Sequence, residues 1–324
     1  MRRALLLVPA ACFLLPAGCA DRPTPTDVPS SAAVTPQVLR VPADHATIQG
    51  AVDAAGPGGI VQVRAGTYAE RVVITTPGLR LHASGAVLLD GSTLGGIGIH
   101  VLGTVAEPLT DVEVAGFEVA HFERGIVVER ASGARVRRND VHHNLDRVAP
   151  LALGEGTGID LATSFATELS GNRLHHNGDS GLQIRLGSTE SLVRANSIYA
   201  NGSQATNYGG RGILVTGNAT EYNRMLENEI RDNLGRGVLI ARPAGVGVIT
   251  GNVIAQNRVH GNYRGGISLM GPVTGTTVVQ NDARDNNLSG LAPCYRCGLV
   301  DLSPGGNTWA RNLGTFNLTD DCDS

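Results

Sequence analysis

Short runs of alternating apolar and polar residues recur along the chain, and each run begins at a glycine. Clear examples are GIVVER, GLQIRL, GILVTG and GISLM, which start at Gly125, Gly181, Gly212 and Gly266. Apolar residues at every second position place one face of an extended segment in a core, so these runs predict short strands. A second strand, such as ARVRRN, precedes an asparagine, and a third, such as DVHHN, follows it. The pattern therefore predicts three strands in each repeat.

Pairs of asparagines five residues apart mark the repeats. There are seven such pairs, at positions 139/144, 172/177, 196/201, 228/233, 252/257, 281/286 and 312/317. A glycine followed by an aliphatic residue comes 14 to 16 residues before each pair, at positions 125, 158, 181, 212, 237, 266 and 298. Nearly all variation in length falls between the second asparagine and the next glycine. Repeats of 23 to 33 residues that vary at one point predict a solenoid.

The repeats predict an all-β fold, a right-handed parallel β-helix whose coils stack roughly 4.8 Å apart. A lone coil cannot bury its Val, Ile and Leu side chains, each of which contributes about 1.5–3 kcal/mol when buried. The recurring asparagines suit left-handed turn conformations and also a ladder of amides from coil to coil. Residues 46–56 place Ile48, Val52 and Ala55 on one helical face before Gly56. This segment predicts a helix that caps the first coil.

Three stretches resemble a known superfamily. Residues 41–74, VPADHATIQGAVDAAGPGGIVQVRAGTYAERVVI, are similar to the N-terminal cap and first coil of pectin-lyase-like β-helix proteins. HHNGDSGLQI at 175–184 resembles coils of pectate lyases and of exported bacterial β-helix repeat proteins, and CGLVDLSPGGNTWARNLGTF at 297–316 is similar to the end of such repeat proteins. The resemblance covers roughly residues 40–324. It implies the β-helix fold and a polysaccharide ligand.

The N-terminus reads as an export signal. Two arginines precede an apolar run that ends in LLPAGC, which resembles the cleavage box of bacterial lipoproteins. We therefore expect a signal peptide at 1–18, a lipidated Cys19 that anchors the protein in a membrane, and a Pro/Thr/Ser-rich tether over 19–37. The folded domain would span 38–324. The predicted location is the cell surface or the periplasm, with a fully secreted protein as the alternative.

The charged residues argue against a nucleic-acid partner and exclude a lysine as catalytic base. Removing Arg2 and Arg3 from the 26 basic residues leaves 24 against 29 acidic residues, which argues against binding to nucleic acid. Every basic residue is an arginine. No mechanism can therefore rest on a lysine base.

Three cysteines lie near the C-terminus, at 294, 297 and 322. CYRC could supply half of a zinc site, but no second closely spaced pair exists. An oxidising compartment favours a disulfide between Cys297 and Cys322, with Cys294 as the alternative partner.

The variable connections predict a groove whose floor is the strand after each glycine. Outward positions there carry Glu129, Asp160 and Arg185, to which we assign candidate catalytic roles. A carboxylate can move protons, and an arginine can neutralise a sugar carboxylate. Candidate substrate-binding residues are Gln183 on the same floor, Asp179 at its rim and Arg211 from a wall. An ordinary solvated sheet face is the alternative interpretation.

Paired histidines occur twice, in NDVHHN at 139–144 and NRLHHN at 172–177. The repeat alignment makes His142 a neighbour of His175, and His143 a neighbour of His176. Such imidazoles could hold a transition metal, but a stacked surface pair is the preferred interpretation, so no metal site is predicted.

Three functions remain open. The first is binding of an extracellular polysaccharide, with or without its cleavage by a lyase or hydrolase mechanism. The second is a non-catalytic scaffold for adhesion or envelope structure, and the third is a periplasmic metal-handling accessory. The lysine base and calcium-binding aspartates of similar pectate lyases are missing, so we expect no cofactor and find no support for calcium. A monomer is expected.

Overall fold

The computed structural model describes residues 36–145, 156–202, 210–242, 247–286, 298–303 and 305–317. Residues from 36 onward form one compact unit. The predicted signal peptide, Cys19, Cys294, Cys297 and Cys322 lie outside the described residues. The signal, tether and domain boundaries and the disulfide therefore stay predictions.

The strand that follows each repeat glycine belongs to one long parallel sheet, called here the glycine-strand sheet. Successive strands pair in register from coil to coil. Within the described residues its ten strands are β3 (Val72–Ile74), β5 (Ile97–Leu102), β9 (Arg124–Glu129), β13 (Thr157–Ala162), β16 (Ser180–Arg185), β19 (Arg211–Val215), β22 (Arg236–Ala241), β26 (Gly265–Met270), β29 (Leu299–Leu302) and β31 (Phe316–Asn317).

The other two strands of each coil belong to a second sheet, called here the asparagine-strand sheet. All its pairings are parallel, and long early strands connect its two stacks. In the described part of the chain its strands are β1 (Val38–Val41), β2 (Ile60–Tyr68), β4 (Arg80–Asp90), β7 (Glu113–Ala115), β8 (Glu118–Ala120), β11 (Arg135–Arg137), β12 (Asp140–His142), β14 (Glu168–Ser170), β15 (Arg173–His175), β17 (Leu192–Arg194), β18 (Ser197–Tyr199), β20 (Arg224–Leu226), β21 (Glu229–Arg231), β24 (Val253–Ala255), β25 (Arg258–His260), β28 (Thr277–Val279) and β30 (Thr308–Ala310).

Two short strand pairs and one helix complete the described elements. The pairs are β6 (Leu109–Thr110) with β10 (Ala131–Ser132), and β23 (Ile249–Thr250) with β27 (Val273–Thr274). The helix α1 (Ile48–Ala54) buries Ile48, Ala51 and Val52, and its first backbone N–H groups donate to the Glu70 carboxylate. No helix among the described residues is long and apolar enough to cross a membrane.

The core is a set of vertical aliphatic columns. One column on the glycine-strand sheet is fully buried and consists of Ile99, Ile126, Ile159, Leu182, Ile213, Val238 and Ile267. At about 1.5–3 kcal/mol for each buried side chain, the column stabilises the fold only because every coil covers the next. The all-β solenoid prediction is confirmed.

Buried asparagine side chains form two ladders along the coil corners. In the first, Asn172 Oδ1 accepts from the backbone N–H and the amide of Asn139, while its own amide donates to the Val136 carbonyl and to Asn196 Oδ1. The side-chain oxygen thus accepts two hydrogen bonds and the side-chain nitrogen donates two, all of them to neighbouring coils. The first ladder comprises Asn139, Asn172, Asn196, Asn228, Asn257, Asn281 and Asn312, and the second comprises Asn144, Asn177, Asn201, Asn233, Asn262 and Asn286.

The ladders correct two sequence expectations. The left-handed residue is the one before each ladder asparagine, for example His143 (φ 51°) before Asn144, and not the asparagine itself. The pairing of 252 with 257 is also wrong: Asn257 pairs with Asn262, while Asn252 bonds to Asn223 in a third column. Positions 252, 257 and 262 are all five apart, so the spacing could not identify the corner pair.

The recurrence of a glycine in every coil has a steric cause. A Cβ atom at Gly158 would lie 2.8 Å from the Asn177 amide nitrogen and 2.7 Å from the Gly181 carbonyl oxygen. A Cβ at Gly181 would meet the Asn201 amide nitrogen at 2.9 Å in the same way. The glycine therefore provides the space that the ladder amide occupies.

We expect Asn201→Ala to lower the free energy of unfolding by about 4 kcal/mol, because it removes four buried hydrogen bonds and leaves their partners unsatisfied. Asn312→Ala, at the end of the first ladder, should cost about half as much, since only one ladder neighbour bonds to it. Urea unfolding followed by circular dichroism measures both. Equal losses would mean that the ladder does not stabilise the stack through neighbours on both sides.

Candidate functional site

The register of the glycine-strand sheet brings the predicted catalytic residues onto neighbouring strands. Asp160 lies directly beside Gln183 in one outward column, and Glu129, Ala162 and Arg185 follow one another in the next. The first column, called here the central column, is completed by residues further along the stack. Its members are His100, Val127, Asp160, Gln183, Leu214, Leu239, Ser268 and Val300.

The central column is not the open floor that the sequence suggested. Asp160 is 0% exposed, Gln183 2% and Leu239 6%, and the remaining members after His100 are equally buried. A side chain that points away from the β-helix interior is therefore not exposed to solvent at this column. The connections predicted as walls at 145–157, 202–211 and 287–297 lie largely outside the described residues, whereas 258–265 is described.

Asp160 fixes two arginines. Arg185 Nε and Nη2 donate to the two carboxylate oxygens at 2.9 and 2.8 Å, and Arg124 Nη1 donates to Oδ2 at 3.2 Å. The Asp160 side chain is fully buried, while Arg185 and Arg124 remain 21% and 29% exposed. Hydrogen bonding to Asp160 raises the pKa of Arg185 above its ordinary value, so this guanidinium keeps its proton and serves as a fixed donor.

Glu129 belongs to a second group of charges beside this cluster. Its carboxylate accepts from His100 Nε2 at 3.2 Å and lies 2.7 Å from Arg130 Nη1. Burial lowers the pKa of His100 below its usual value, which keeps the imidazole neutral at neutral pH. His100 was missed in the sequence because its strand β5 precedes the first asparagine pair. Only the register places it in the central column.

Asp179 and Arg211 form a separate pair. Arg211 Nη1 donates to Asp179 Oδ1 at 3.1 Å, and Ser180 Oγ donates to Oδ2. Burial raises the pKa of the Asp179 carboxyl, with Arg211 acting in the opposite direction. The structure thus unites Asp160 with Arg185, and Asp179 with Arg211. The roles assigned to all six predicted residues stay predictions.

Within the described part of the chain, three buried polar atoms on the glycine-strand sheet have no hydrogen-bond partner. They are Thr157 Oγ1, Gln183 Oε1 and Ser268 Oγ. Gln183 and Ser268 belong to the central column, and Thr157 lies beside Arg124 in the register of β9 with β13. Three polar atoms of this face thus keep hydrogen-bonding capacity that no group among the described residues uses.

The paired histidines stack as the repeat alignment predicted. His142 pairs with His175 in the strand register, and their rings lie 4.9 Å apart and nearly parallel. His143 and His176 stack at 5.1 Å in the next column. Tyr199 continues the first stack over His175, and the Arg231 guanidinium lies 4.4 Å from the centre of the Tyr199 ring. These rings belong to the asparagine-strand sheet, away from the strands that carry Asp160.

Neighbouring imidazoles also touch within each coil. Nδ1 of His142 lies 2.8 Å from Nδ1 of His143, and the His175–His176 pair repeats this distance. Burial and the adjacent imidazoles lower the pKa values of His143 and His176. Among the described residues no group of three or more His, Cys, Asp or Glu side chains is arranged to hold a metal ion.

Another depression lies outside both groups. It is formed near the C-terminal coils by Ala283, Arg284, Asn286, Gly298 and Thr315. None of the predicted site residues lines it. The groups that could carry chemistry are therefore the charged cluster on the glycine-strand sheet and the histidine pairs.

Comparison with known proteins identifies the architecture. The family described as the right-handed beta helix region matches residues 97–283. No curated protein matches the sequence. Among solved structures, the Dettilon tailspike protein superposes with a TM-score of 0.59 at 16% identity, over 85% of this chain and 62% of that chain.

Two further structures have the same fold at similarly low identity. The A-module of the mannuronan C-5 epimerase AlgE4 from Azotobacter vinelandii gives a TM-score of 0.56 at 15% identity, over 89% of this chain and 96% of that chain. The tailspike of E. coli bacteriophage HK620, solved in complex with a hexasaccharide, gives 0.51 at 10% identity, over 70% and 45%. The predicted handedness of the β-helix is confirmed. At these identities the likeness concerns the fold alone.

We expect Asp179→Asn to increase the free energy of unfolding at pH 7. The pKa of Asp179 in the folded protein is raised above the ordinary 3.8. The free energy of unfolding therefore falls as the pH rises through that folded-state pKa, because the buried carboxyl becomes ionised. Asparagine does not ionise and avoids this loss. The difference should vanish at pH values below 3.8.

Asp282→Asn provides a control of opposite sign. Hydrogen bonding to Arg284 lowers the pKa of Asp282 to about 2, so its contribution is present above pH 3.8 and is lost as the pH falls through about 2. Urea unfolding at several pH values measures both variants. A decrease in stability for Asp179→Asn at pH 7 would contradict the assigned cause of the shift.

Proposed function

This chain belongs to the right-handed β-helix family, and from that premise we propose that it binds an extracellular polysaccharide along its glycine-strand sheet. We further propose that it is exported and anchored in a membrane through a lipid on Cys19. Two proteins with this fold support a saccharide ligand, since one is a mannuronan C-5 epimerase and the other was solved with a hexasaccharide. A β-helix offers such a polymer a surface that repeats at every coil.

The arginines held by Asp160 carry the proposal. Asp160 engages only part of each guanidinium, and the arginines keep 21–29% of their side-chain surface exposed. An arginine has five N–H donors, of which Arg185 directs two at Asp160, so the others can bind hydroxyl or carboxylate oxygens of a sugar. Because the carboxylate holds them in place, little side-chain entropy remains to be lost on binding.

Arg211 extends the same arrangement to the next coil. Its strand β19 neighbours β16, which carries Arg185, and Asp179 holds its guanidinium as Asp160 holds the others. Arginine donors therefore lie on β9, β16 and β19, with Arg211 opposite Ser180 at the start of its strand and Arg185 at the end of β16. A chain of sugar units can engage several of them at once, whereas a small molecule would meet only one or two.

In this proposal Asp160 positions the arginines and does not transfer protons. Both oxygens of this buried carboxylate already accept hydrogen bonds from guanidinium groups, so they are occupied by the arginines that they hold. Arg185 is equally unsuited to accept a proton. The second candidate, a non-catalytic scaffold, is favoured by this pairing. Glu129 with His100 is the group through which lyase or hydrolase activity would have to proceed.

Arg185→Gln should weaken binding of the recognised polysaccharide at least tenfold, since it removes charged donors while Arg124 still compensates Asp160. Isothermal titration against a panel of acidic and neutral polysaccharides measures the change. Arg194→Gln is the matched control, because Arg194 is paired with Glu168 on the other sheet. Unchanged binding by Arg185→Gln would refute the site. Unsaturated or reducing ends released by wild-type protein would reject the scaffold.

Cys19→Ser should move the exported protein from the membrane fraction to the soluble fraction, because the acylated thiol is absent. Immunoblotting of fractionated cells and incorporation of labelled palmitate measure this. Cys12→Ser, within the same apolar run, is the control and should leave the protein in the membrane fraction. A Cys19→Ser variant that stays membrane-bound would contradict lipid anchoring.

A further inference from the structure

The two histidine pairs present the same pair of nitrogen atoms on successive coils. Nδ1 of the first imidazole faces Nδ1 of the second at 2.8 Å in both His142–His143 and His175–His176. In each pair the second histidine has a left-handed backbone, with φ of 51° and 53°, which turns its ring toward the first. The convergence therefore results from the β-helix corner and recurs with it.

Carboxylates determine which nitrogen of the first imidazole carries a proton. His142 Nε2 lies 3.0 Å from Glu118 Oε1, and His175 Nε2 lies 2.9 Å from Asp140 Oδ1. A neutral imidazole that donates Nε2–H to a carboxylate has its lone pair on Nδ1, the atom that faces the partner histidine. A carboxylate behind an imidazole is the usual support of a metal-ligating histidine.

We infer that each histidine pair is a binding site for a divalent transition metal, with the two Nδ1 atoms as adjacent ligands. Metal–imidazole bonds of about 2.0–2.1 Å at a right angle separate the two nitrogens by about 2.9 Å, close to the observed distance. A tetrahedral angle would require about 3.3 Å. Square-planar or tetragonal ions, of which Cu²⁺ binds most tightly, fit the pairs best.

Solvent or an external ligand completes the coordination, since each pair supplies two protein ligands. The site therefore agrees with the absence of three-residue metal groups in the described residues. Binding requires a lone pair on both Nδ1 atoms, so the second histidine of each pair must carry its proton on Nε2 instead of Nδ1. This site is on the asparagine-strand sheet and is independent of the proposed polysaccharide site.

The His142–His143 pair should bind the first ion. Glu118 lies directly behind it, and the His121–Asp90 pair occupies the adjoining coils, with ring centres of His121 and His143 6.1 Å apart. At the other pair Arg173 lies 3.1 Å from Asp140 and adds positive charge. Since the two sites are about one coil apart, repulsion between dications should weaken the second binding step by roughly tenfold or more.

The test is a Cu²⁺ titration of the untagged full chain, followed by isothermal calorimetry and electron paramagnetic resonance. Wild type should bind two ions, the first with a spectrum of two coordinated imidazole nitrogens. His143→Asn should weaken the first step at least tenfold, His176→Asn mainly the second, and the double variant should lose both. Asparagine tolerates the left-handed backbone, and circular dichroism verifies folding.

His260→Asn is the matched control. His260 belongs to the same column of paired strand positions as His175, with Tyr199 and Arg231 between them. Like His175 it has a nearby carboxylate, that of Glu229. The residue after it is Gly261, so no second imidazole faces it. This variant should bind Cu²⁺ as wild type does. Equal binding by the folded double variant and wild type, or no saturable binding by wild type, would overturn the inference.

Discussion

The hydrogen-bonded asparagine ladder is the interaction on which the other features depend. Each amide bonds to the coils on both sides, and the residue before it is held in a left-handed turn. A shift of one residue would expose buried amides and place a residue with a Cβ atom where only the repeat glycine fits. Register is therefore fixed at every corner, and residues many positions apart in sequence become vertical neighbours.

That register has opposite effects on the two sheets. On the glycine-strand sheet it places charged residues of successive coils beside one another, where the fully buried Asp160 and the partly buried Asp179 hold arginines. On the asparagine-strand sheet it aligns aromatic rings, which stack at 4.7–5.1 Å. In both cases the spacing of a parallel sheet, about 4.8 Å, sets the distance between functional groups.

The charged cluster also shows how a structural requirement limits chemistry. A carboxylate that must be buried needs compensating cations, and the two arginines that stabilise Asp160 also occupy its carboxylate oxygens. The guanidinium groups of the two arginines, in contrast, stay partly exposed. The Glu129 carboxylate, which contacts His100 and Arg130, remains 27% exposed. The same reasoning separates a binding surface from a catalytic one on an otherwise uniform solenoid.

The sequence by itself determined the coil, its strands, the recurring glycine and amide corners, and the stacking of the two histidine pairs. These features depend on contacts that repeat at a fixed spacing, so a local pattern reports them. Tertiary structure alone decided which of three equally spaced asparagines forms the corner pair at 257 and 262, that Asp160 is buried, and that His100 joins its column. Contacts between distant segments decide the register outside the regular repeats, and they also decide whether an outward face is buried. Such contacts produce no periodic pattern in the sequence.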